Sequence, residues 1–416
     1  MTTAMIDLKK LAADPDEYRR SLVKRGAESV DVEGVLKAQQ AVTQLTQEYE
    51  QLRVQSKELT RRAAKDEALR TEARTLRDQQ TELETRLRQA REELTSKASW
   101  LPNYLDDRVP AGDESQAVIV RAANPPVDGG PYRPHDEIAL ALGILDVERA
   151  AKLSGSRFYN LKGDGVRLRL AMLQLYLDMV EGQGFELVSP PVLAKRFSFY
   201  ASGYLPFAQS DNFGVSDSEL SLIGTSEQAL LGMHADEVLP ELPVKYLGDS
   251  MCFRTEAGSH GRDVRGMIRV HQFYKLEQFL YCAPDEVEAL HLQMLDNEVA
   301  FIDALNVPSQ TIICSSADVA APGFFKYDVE AWFPSTGKYR ELTSNTNLSD
   351  YQTRRAGIRA RIDGKMVHPY TISATGFCDR HIAAMLENNQ LPDGSVTVPE
   401  ALRPYLGGRE VLRPVS

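Results

Sequence analysis

The sequence predicts an α+β protein: an N-terminal antiparallel helical hairpin of coiled-coil type, then a larger domain built on an antiparallel sheet flanked by helices. Three observations carry this. Residues 33–98 contain no Gly beyond Gly34 and no Pro, and apolar residues recur there in steps of three and four. Composition changes sharply near residue 100, where turn-forming residues return. Beyond it, strand-like runs follow one another with few helices between them, which favours antiparallel pairing over a doubly wound sheet.

The hairpin comes first. Val42, Leu45, Tyr49, Leu52, Ser56, Leu59 and Ala63 form one heptad-spaced series, and Leu69, Ala73, Leu76, Gln80, Leu83, Leu87, Ala90 and Leu94 form a second. The two do not join in phase, because continuing the first places the seam at 70, 73 and 77. A tight turn near Ala64–Ala68 resolves this, giving a hairpin about 45–50 Å long at about 1.5 Å per residue. A single long helix pairing with another chain is the rival, since the turn holds no Gly or Pro. The tip gathers Arg53, Lys57, Arg61, Arg62, Lys65, Arg70, Arg74 and Arg77 against fewer acids. Such a run is read either as a solvated helical face or as an arm that touches nucleic-acid phosphates.

The order of the remaining elements follows from turn residues and periodicity. We divide the chain into an arm at 1–110, a linker at 111–135 and a catalytic domain at 136–416. WLPNYLDDRVPAGDESQ (100–116) is the exit from the arm, and AANPPVDGGPYRPHDE (122–137) is a Pro/Gly-rich linker or extended strand. RLRLAMLQLYLDMVEGQGF (167–185) has helical spacing and stops at Gly182 and Gly184. Strands are expected at 186–193, 220–224, 249–255, 266–281, 310–314, 326–333 and 338–344, with a final helix at 380–389.

Composition narrows the class. The formal charge of −11 argues against a protein that coats nucleic acid everywhere, but leaves room for a local basic element. No apolar run approaches bilayer-spanning length, and the N-terminus lacks a signal-peptide h-region, so a cytoplasmic protein without membrane attachment is expected. Cys252, Cys282, Cys314 and Cys378 lie far apart with no zinc spacing, and are read as buried reduced thiols.

Against that acidic background, FRTEAGSHGRDVRGMIRVHQF (253–273) concentrates arginines beside one carboxylate. After Gly266 the residues alternate. Met267, Arg269, His271, Phe273, Lys275 and Glu277 fall on one face of a strand, with Ile268, Val270, Gln272, Tyr274, Leu276 and Gln278 on the other. The first face is a candidate nucleotide floor, where a ring can stack on a base and arginines can fork onto phosphates. A solvent-exposed sheet face is the alternative.

FRTEAGSHGRDVRGMIRVHQFYKLE resembles motif 2 of the seryl-tRNA synthetases, a class II aminoacyl-tRNA synthetase family. TSE (225–227) within LIGTSEQALL resembles the family's serine-binding Thr-x-Glu. KYRELTSNTNLSDYQTRRAGIR (338–359) resembles its metal-and-ATP strand. GSRFYNLKGDGVRLRLAM with the prolines at 190–191 resembles the motif 1 region, and GSVTVPEALRPYLGG the C-terminal end. The resemblance spans nearly the whole chain. It implies a class II synthetase-type sheet domain, a homodimer, and a serine–tRNA ligase that uses ATP and Mg²⁺ and meets tRNA through the arm.

By that resemblance, Arg254 and Arg380 are catalytic, at the α- and γ-phosphates respectively. Glu256 meets the adenine amino group, Phe273 stacks on the ring, and Val270 lines the nucleotide. Glu341, Leu342, Thr343 and Ser344 border ATP, with Glu341 and Ser344 holding Mg²⁺. Thr225, Glu227, Arg254, Glu277 and Thr375 bind L-serine, with Ser373 the alternate to Thr375. TSEQALL also reads as a helix start that Thr225 would cap, while His260 and His271 are read as structural.

HPYTISATGFCDRH (368–381) departs from the family: the usual Asn-Gly-Ser is missing, the length differs, and Asp379 precedes Arg380. An acid there is expected to weaken the arginine's hold on ATP unless it pairs elsewhere. Two rivals remain. One is a paralogue of specialised metabolism, a seryl-tRNA supplier or resistance copy with an altered pocket. The other is an inactive tRNA-binding protein that uses the arm alone.

Overall fold

A computed structural model describes residues 6–63, 66–123, 131–257 and 266–415. It forms two compact units, Met1–Pro102 and Asn103–Ser416. The division falls beside the compositional change near residue 100 and ahead of the expected end of the arm at 110.

In the first unit two short helices, α1 (Leu8–Ala13) and α2 (Pro15–Arg25), precede the long pair α3 (Val32–Ala63) and α4 (Leu69–Ala98). Local chemistry sets the ends of α2. Asp14 accepts from the Glu17 amide at 2.9 Å, Pro15 occupies the first helical position, and Gly26 closes the helix with φ +66°. At 32 and 30 residues, α3 and α4 run about 48 and 45 Å at about 1.5 Å per residue. Both seam series face inward: Leu59, Ala63 and Ala73 are buried with Leu69 and Leu76 packed beside them, and Leu83, Leu87 and Leu94 continue the seam. The helices therefore pair within one chain. Of the turn expected at Ala64–Ala68, positions 64 and 65 lie outside the described residues, as does the tip's Lys65. Arg61, Arg62, Arg74 and Arg77 are exposed, while Arg53 and Arg70 pair at the surface with Glu50 and Glu67.

The second unit is built on an eight-stranded sheet. Its strands are β1 (Val118–Ala123), β2 (Glu186–Val188), β3 (Val244–Phe253), β4 (Gln272–Cys282), β5 (Ser309–Ile313), β6 (Phe325–Phe333), β7 (Lys338–Ser349) and β8 (Tyr370–Cys378). The order is β1-β5-β6-β7-β8-β4-β3-β2, antiparallel except for the β2–β3 pair. The helices Asp164–Met179, Val287–Ala304 and Arg380–Asn388 share one continuous core with it, through Met172, Tyr176, Phe301 and Ile382. On β4, Tyr274 and Leu276 join that core, which leaves Phe273, Lys275 and Glu277 for the opposite face.

Some expected elements change. The 186–193 run splits into Glu186–Val188 and Leu193–Lys195, in separate sheets, because Pro190 and Pro191 cannot donate to a ladder. Residues 118–123 of the expected linker pair with β5 as an edge strand, and 124–130 lie outside the described residues. The 266–281 strand begins only at Gln272. Gly266 takes φ +72°, and a Cβ there would sit 2.1 Å from His135 Nε2, so the chain turns tightly before entering the sheet. Among the described residues no helix is long and apolar enough to cross a membrane.

Candidate active site

The free face of the sheet carries a cavity of about 310 Å³. Arg254, Glu256, Val270, Phe273, Glu341, Leu342, Ser344, Arg380, Thr225, Glu227, Glu277, Ser373 and Thr375 all line it. The expected residues thus converge from segments more than 150 positions apart, with one exception. Thr343 is fully buried and its hydroxyl donates to Glu298 Oε2 at 3.3 Å, on the side away from the cavity.

Bulges decide these orientations. In a regular strand Glu341 and Ser344, three apart, would face opposite ways. The register between β6 and β7 shifts so that Glu341 faces Glu330 while Thr343 faces Val329, and the inserted Leu342 returns Ser344 to the side of Glu341. A second shift, between Thr375 and Phe377, keeps Ser373, Thr375 and Cys378 on the cavity side. The bulged residue is Gly376, where a Cβ would lie 2.9 Å from the Tyr176 ring. Only glycine fits there without a shift of the ring.

At one end of the cavity Arg254 Nε donates to the Gly224 carbonyl at 3.3 Å, with its guanidinium carbon 5.3 Å from the Phe273 ring centre. Glu256 pairs with Arg269 at 3.2 Å. Arg380 Nε donates to the Ile268 carbonyl at 3.0 Å, and its Nη1 donates to the Glu341 carbonyl at 3.1 Å. Desolvation would raise the Glu341 carboxyl, but Arg380, then Lys326, Arg254 and Lys275, hold it below its usual range. The alternation expected from Gly266 fails short of the strand: Ile268 and Val270, assigned to the core face, border the cavity together with Met267.

At the other end, Lys275 Nζ donates to Thr225 Oγ1 at 2.9 Å and forms a close ion pair with Glu277. Burial opposes the Lys275 charge, but Glu277 and Cys252 raise its pKa overall. Ser373 Oγ lies 2.9 Å from Glu227 Oε2 and 2.6 Å from Glu277 Oε1, and Gln352 Nε2 donates to Glu227 Oε1 at 2.5 Å. Burial, then the nearby Glu277, raises the Glu227 pKa. Thr225 also accepts from the Glu227 amide at 3.3 Å, so it supports the helix start while its side chain reaches the cavity.

Asp379 does not pair with Arg380. Its Oδ2 accepts from the Tyr274 amide at 3.0 Å and makes a close hydrogen bond with the Tyr159 hydroxyl. The expected weakening of Arg380 therefore has no direct contact behind it. His271 Nδ1 lies 3.0 Å from the Arg254 carbonyl and its ring packs against Phe158 and Phe213, whereas His260 lies outside the described residues. All four cysteines are buried and unbridged. Sequence reasoning missed Tyr204 and Lys326 in the cavity wall. Lys326 lies 3.1 and 2.9 Å from Asp318 and Asp328: Asp328 shares its face of β6, and Asp318 reaches it from the loop before the strand.

Comparison with known proteins identifies the family. The tRNA synthetase class II core domain (G, H, P, S and T) matches residues 213–389, and the seryl-tRNA synthetase N-terminal domain matches residues 5–105. A serine–tRNA ligase of Cutibacterium acnes is 41% identical, over 99% of this chain and 100% of its own length. That of Thermobifida fusca is 40% identical, again over 99% and 100%. Among solved structures, seryl-tRNA synthetase from Pyrococcus horikoshii complexed with ATP superposes with a TM-score of 0.92 at 32% identity, covering 99% of this chain and 100% of that one. The cytoplasmic serine–tRNA ligase of Naegleria fowleri in complex with AMP gives 0.87 at 27%, covering 100% and 99%. With both family domains present and close relatives matching end to end, the chain belongs to the seryl-tRNA synthetase family, a class II family of serine–tRNA ligases.

Proposed function

We propose that the cavity on the sheet forms seryl-adenylate from L-serine and ATP, and that the seryl group then passes to the 3′-terminal adenosine of tRNA. One observation carries the residue assignment: a single cavity brings Thr225, Glu227 and Glu277 together with Arg254, Phe273, Glu341 and Arg380. Serine's ammonium and hydroxyl match Thr225, Glu227, Glu277 and Thr375, and its carboxylate matches Arg254. The triphosphate matches Arg254 and Arg380, while the base matches Phe273, Glu256 and the wall at Val270 and Leu342.

Adenylation is a displacement at the α-phosphorus. A serine carboxylate oxygen forms the new P–O bond, and the bond to the departing pyrophosphate breaks. Little covalent work falls to the protein, so positioning and fixed positive charge supply the catalysis. Arg254 would neutralise charge developing at the α-phosphate, and Arg380 would hold the far end of the leaving group. In the second step a ribose hydroxyl of tRNA attacks the seryl carbonyl and AMP leaves.

Glu341 and Ser344 offer a carboxylate and a hydroxyl on one face of β7, hard oxygen donors that fit Mg²⁺. Both would hold the ion, which when bound supplies positive charge to the phosphates.

The helical hairpin with its exposed arginines would carry tRNA, and the enzyme would act as a homodimer in the cytoplasm. The specialised paralogue is not favoured, since Thr225, Glu227 and Glu277 all reach the cavity and full-length identity is to serine–tRNA ligases. Amino-acid-dependent ATP–pyrophosphate exchange across a panel of amino acids tests the reading. Exchange with serine well above all others is expected, and preference for another amino acid would overturn it.

A further inference from the structure

The cavity's acidic end holds an arrangement that cannot be satisfied with both of its acids ionised. Ser373 Oγ lies within hydrogen-bond distance of Glu227 Oε2 (2.9 Å) and Glu277 Oε1 (2.6 Å) together. A hydroxyl has one proton to give and two lone pairs. It can donate fully to one carboxylate, and then faces the other oxygen with a lone pair, a repulsive contact at low dielectric. The contact becomes attractive when the second acid carries a proton and donates it to Oγ. We infer that, in the empty site, Glu227 and Glu277 share one proton through Ser373, held on Glu227, and that an incoming ammonium group expels it.

The placement on Glu227 follows from its neighbours. Glu277 has the Lys275 ammonium in a close ion pair, whereas the nearest donors to Glu227 are neutral: the Gln352 amide at 2.5 Å and Ser373 itself. The charged and titratable groups facing Glu227 are Glu277 and Lys275 from β4, with Tyr204 and Arg254 farther along the wall. One lysine serves two acids here. Burial and the like charge of Glu277 both favour the protonated form of Glu227.

The inference rests on the reading of this end as the serine ammonium site. An ammonium brings a full positive charge and three donors, enough to bond both carboxylates once the shared proton has gone. Binding then releases that proton to solvent. Serine affinity becomes linked to pH although serine itself keeps its ammonium throughout the neutral range. Its dissociation constant should rise as pH falls, by up to about tenfold per pH unit where Glu227 is protonated in the empty enzyme. Ser373 acts here as a positioning residue that bridges the two acids while Glu227 holds the proton.

The test is calorimetric titration of serine into the full-length protein, repeated at pH 6 and 7 in buffers of different ionisation heat. The dependence of binding heat on buffer reads proton release directly. Release of a substantial fraction of one proton, larger at the lower pH, is expected. Glu227→Gln, which mimics the protonated acid, should bind serine at least about tenfold more weakly, with no release and no pH dependence. Serine binding with buffer-independent heat in the parent would overturn the shared proton while leaving the serine site standing. No binding and no serine-dependent exchange would overturn the site assignment, and the proton with it.

Discussion

Asp379 and Arg380 are neighbours in the chain, yet their side chains bond different partners. The Asp379 carboxylate accepts from the Tyr274 amide at 3.0 Å, while the Arg380 guanidinium donates to the carbonyls of Ile268 and Glu341 at 3.0 and 3.1 Å. An acid beside a phosphate-binding arginine is harmless when its charge is spent elsewhere. Asp379→Gly should leave ATP affinity within about twofold at fixed Mg²⁺ and salt. It should also lower stability by about 1–3 kcal/mol, because the buried Tyr274 amide loses its acceptor. ATP titration and urea denaturation of the two proteins check this, and a several-fold gain in ATP affinity would show that Asp379 does weaken Arg380.

Arg254 lines the cavity, where Glu341 and Glu256 are the acids that act on its charge. Arg254→Ala should lower serine-dependent exchange by two to three orders of magnitude, since one such electrostatic donor is worth about 3–4 kcal/mol. Arg254→Lys keeps the charge but loses the fork, and should fall between the two. Exchange by the alanine variant within tenfold of the parent would remove Arg254 from its assigned place.

The hairpin and the catalytic unit can be separated by function. With residues 35–97 replaced by a short linker, serine activation should persist while tRNA charging is lost. In the parent, tRNA binding should weaken steeply with salt, as each phosphate neutralised by an arm cation releases counterions. Normal charging by the shortened protein would assign the arm another purpose.

Glu298 offers a stability test with a definite sign. It is fully buried against the Thr343 hydroxyl, and burial first, then Asp328 and Glu277, drive its pKa well above the ordinary value. A raised carboxyl stabilises the fold below its unfolded pKa, and that contribution is lost as pH rises toward the folded value. Glu298→Gln keeps the shape without the charge. Its advantage over the parent in urea should be small at pH 5 and grow toward pH 8, to about 1–3 kcal/mol. A difference that does not change with pH would mean Glu298 titrates normally in the folded protein.

The heptad series from Val42 to Leu94 was readable because helical periodicity is local, and the same two series line the buried seam of the pair. So was the facing of Phe273, Lys275 and Glu277, which needs only the two-residue period of a strand. Bulges break that period, and they depend on the partner strand. Nothing in ELTS says that Leu342 is the extra residue, that Thr343 turns to Glu298, or that Ser344 rejoins Glu341 at the cavity. The stop of the strand short of Met267 likewise depends on Gly266 meeting His135, more than 100 positions away. The sequence alone determined which chemical groups this protein owns and the strongly periodic helices of the hairpin, while the core helix Val287–Ala304 went unread. Tertiary structure decided which of those groups meet: Ser373 between two acids and Asp379 turned from Arg380 are outcomes of non-local register and packing, which no local pattern encodes.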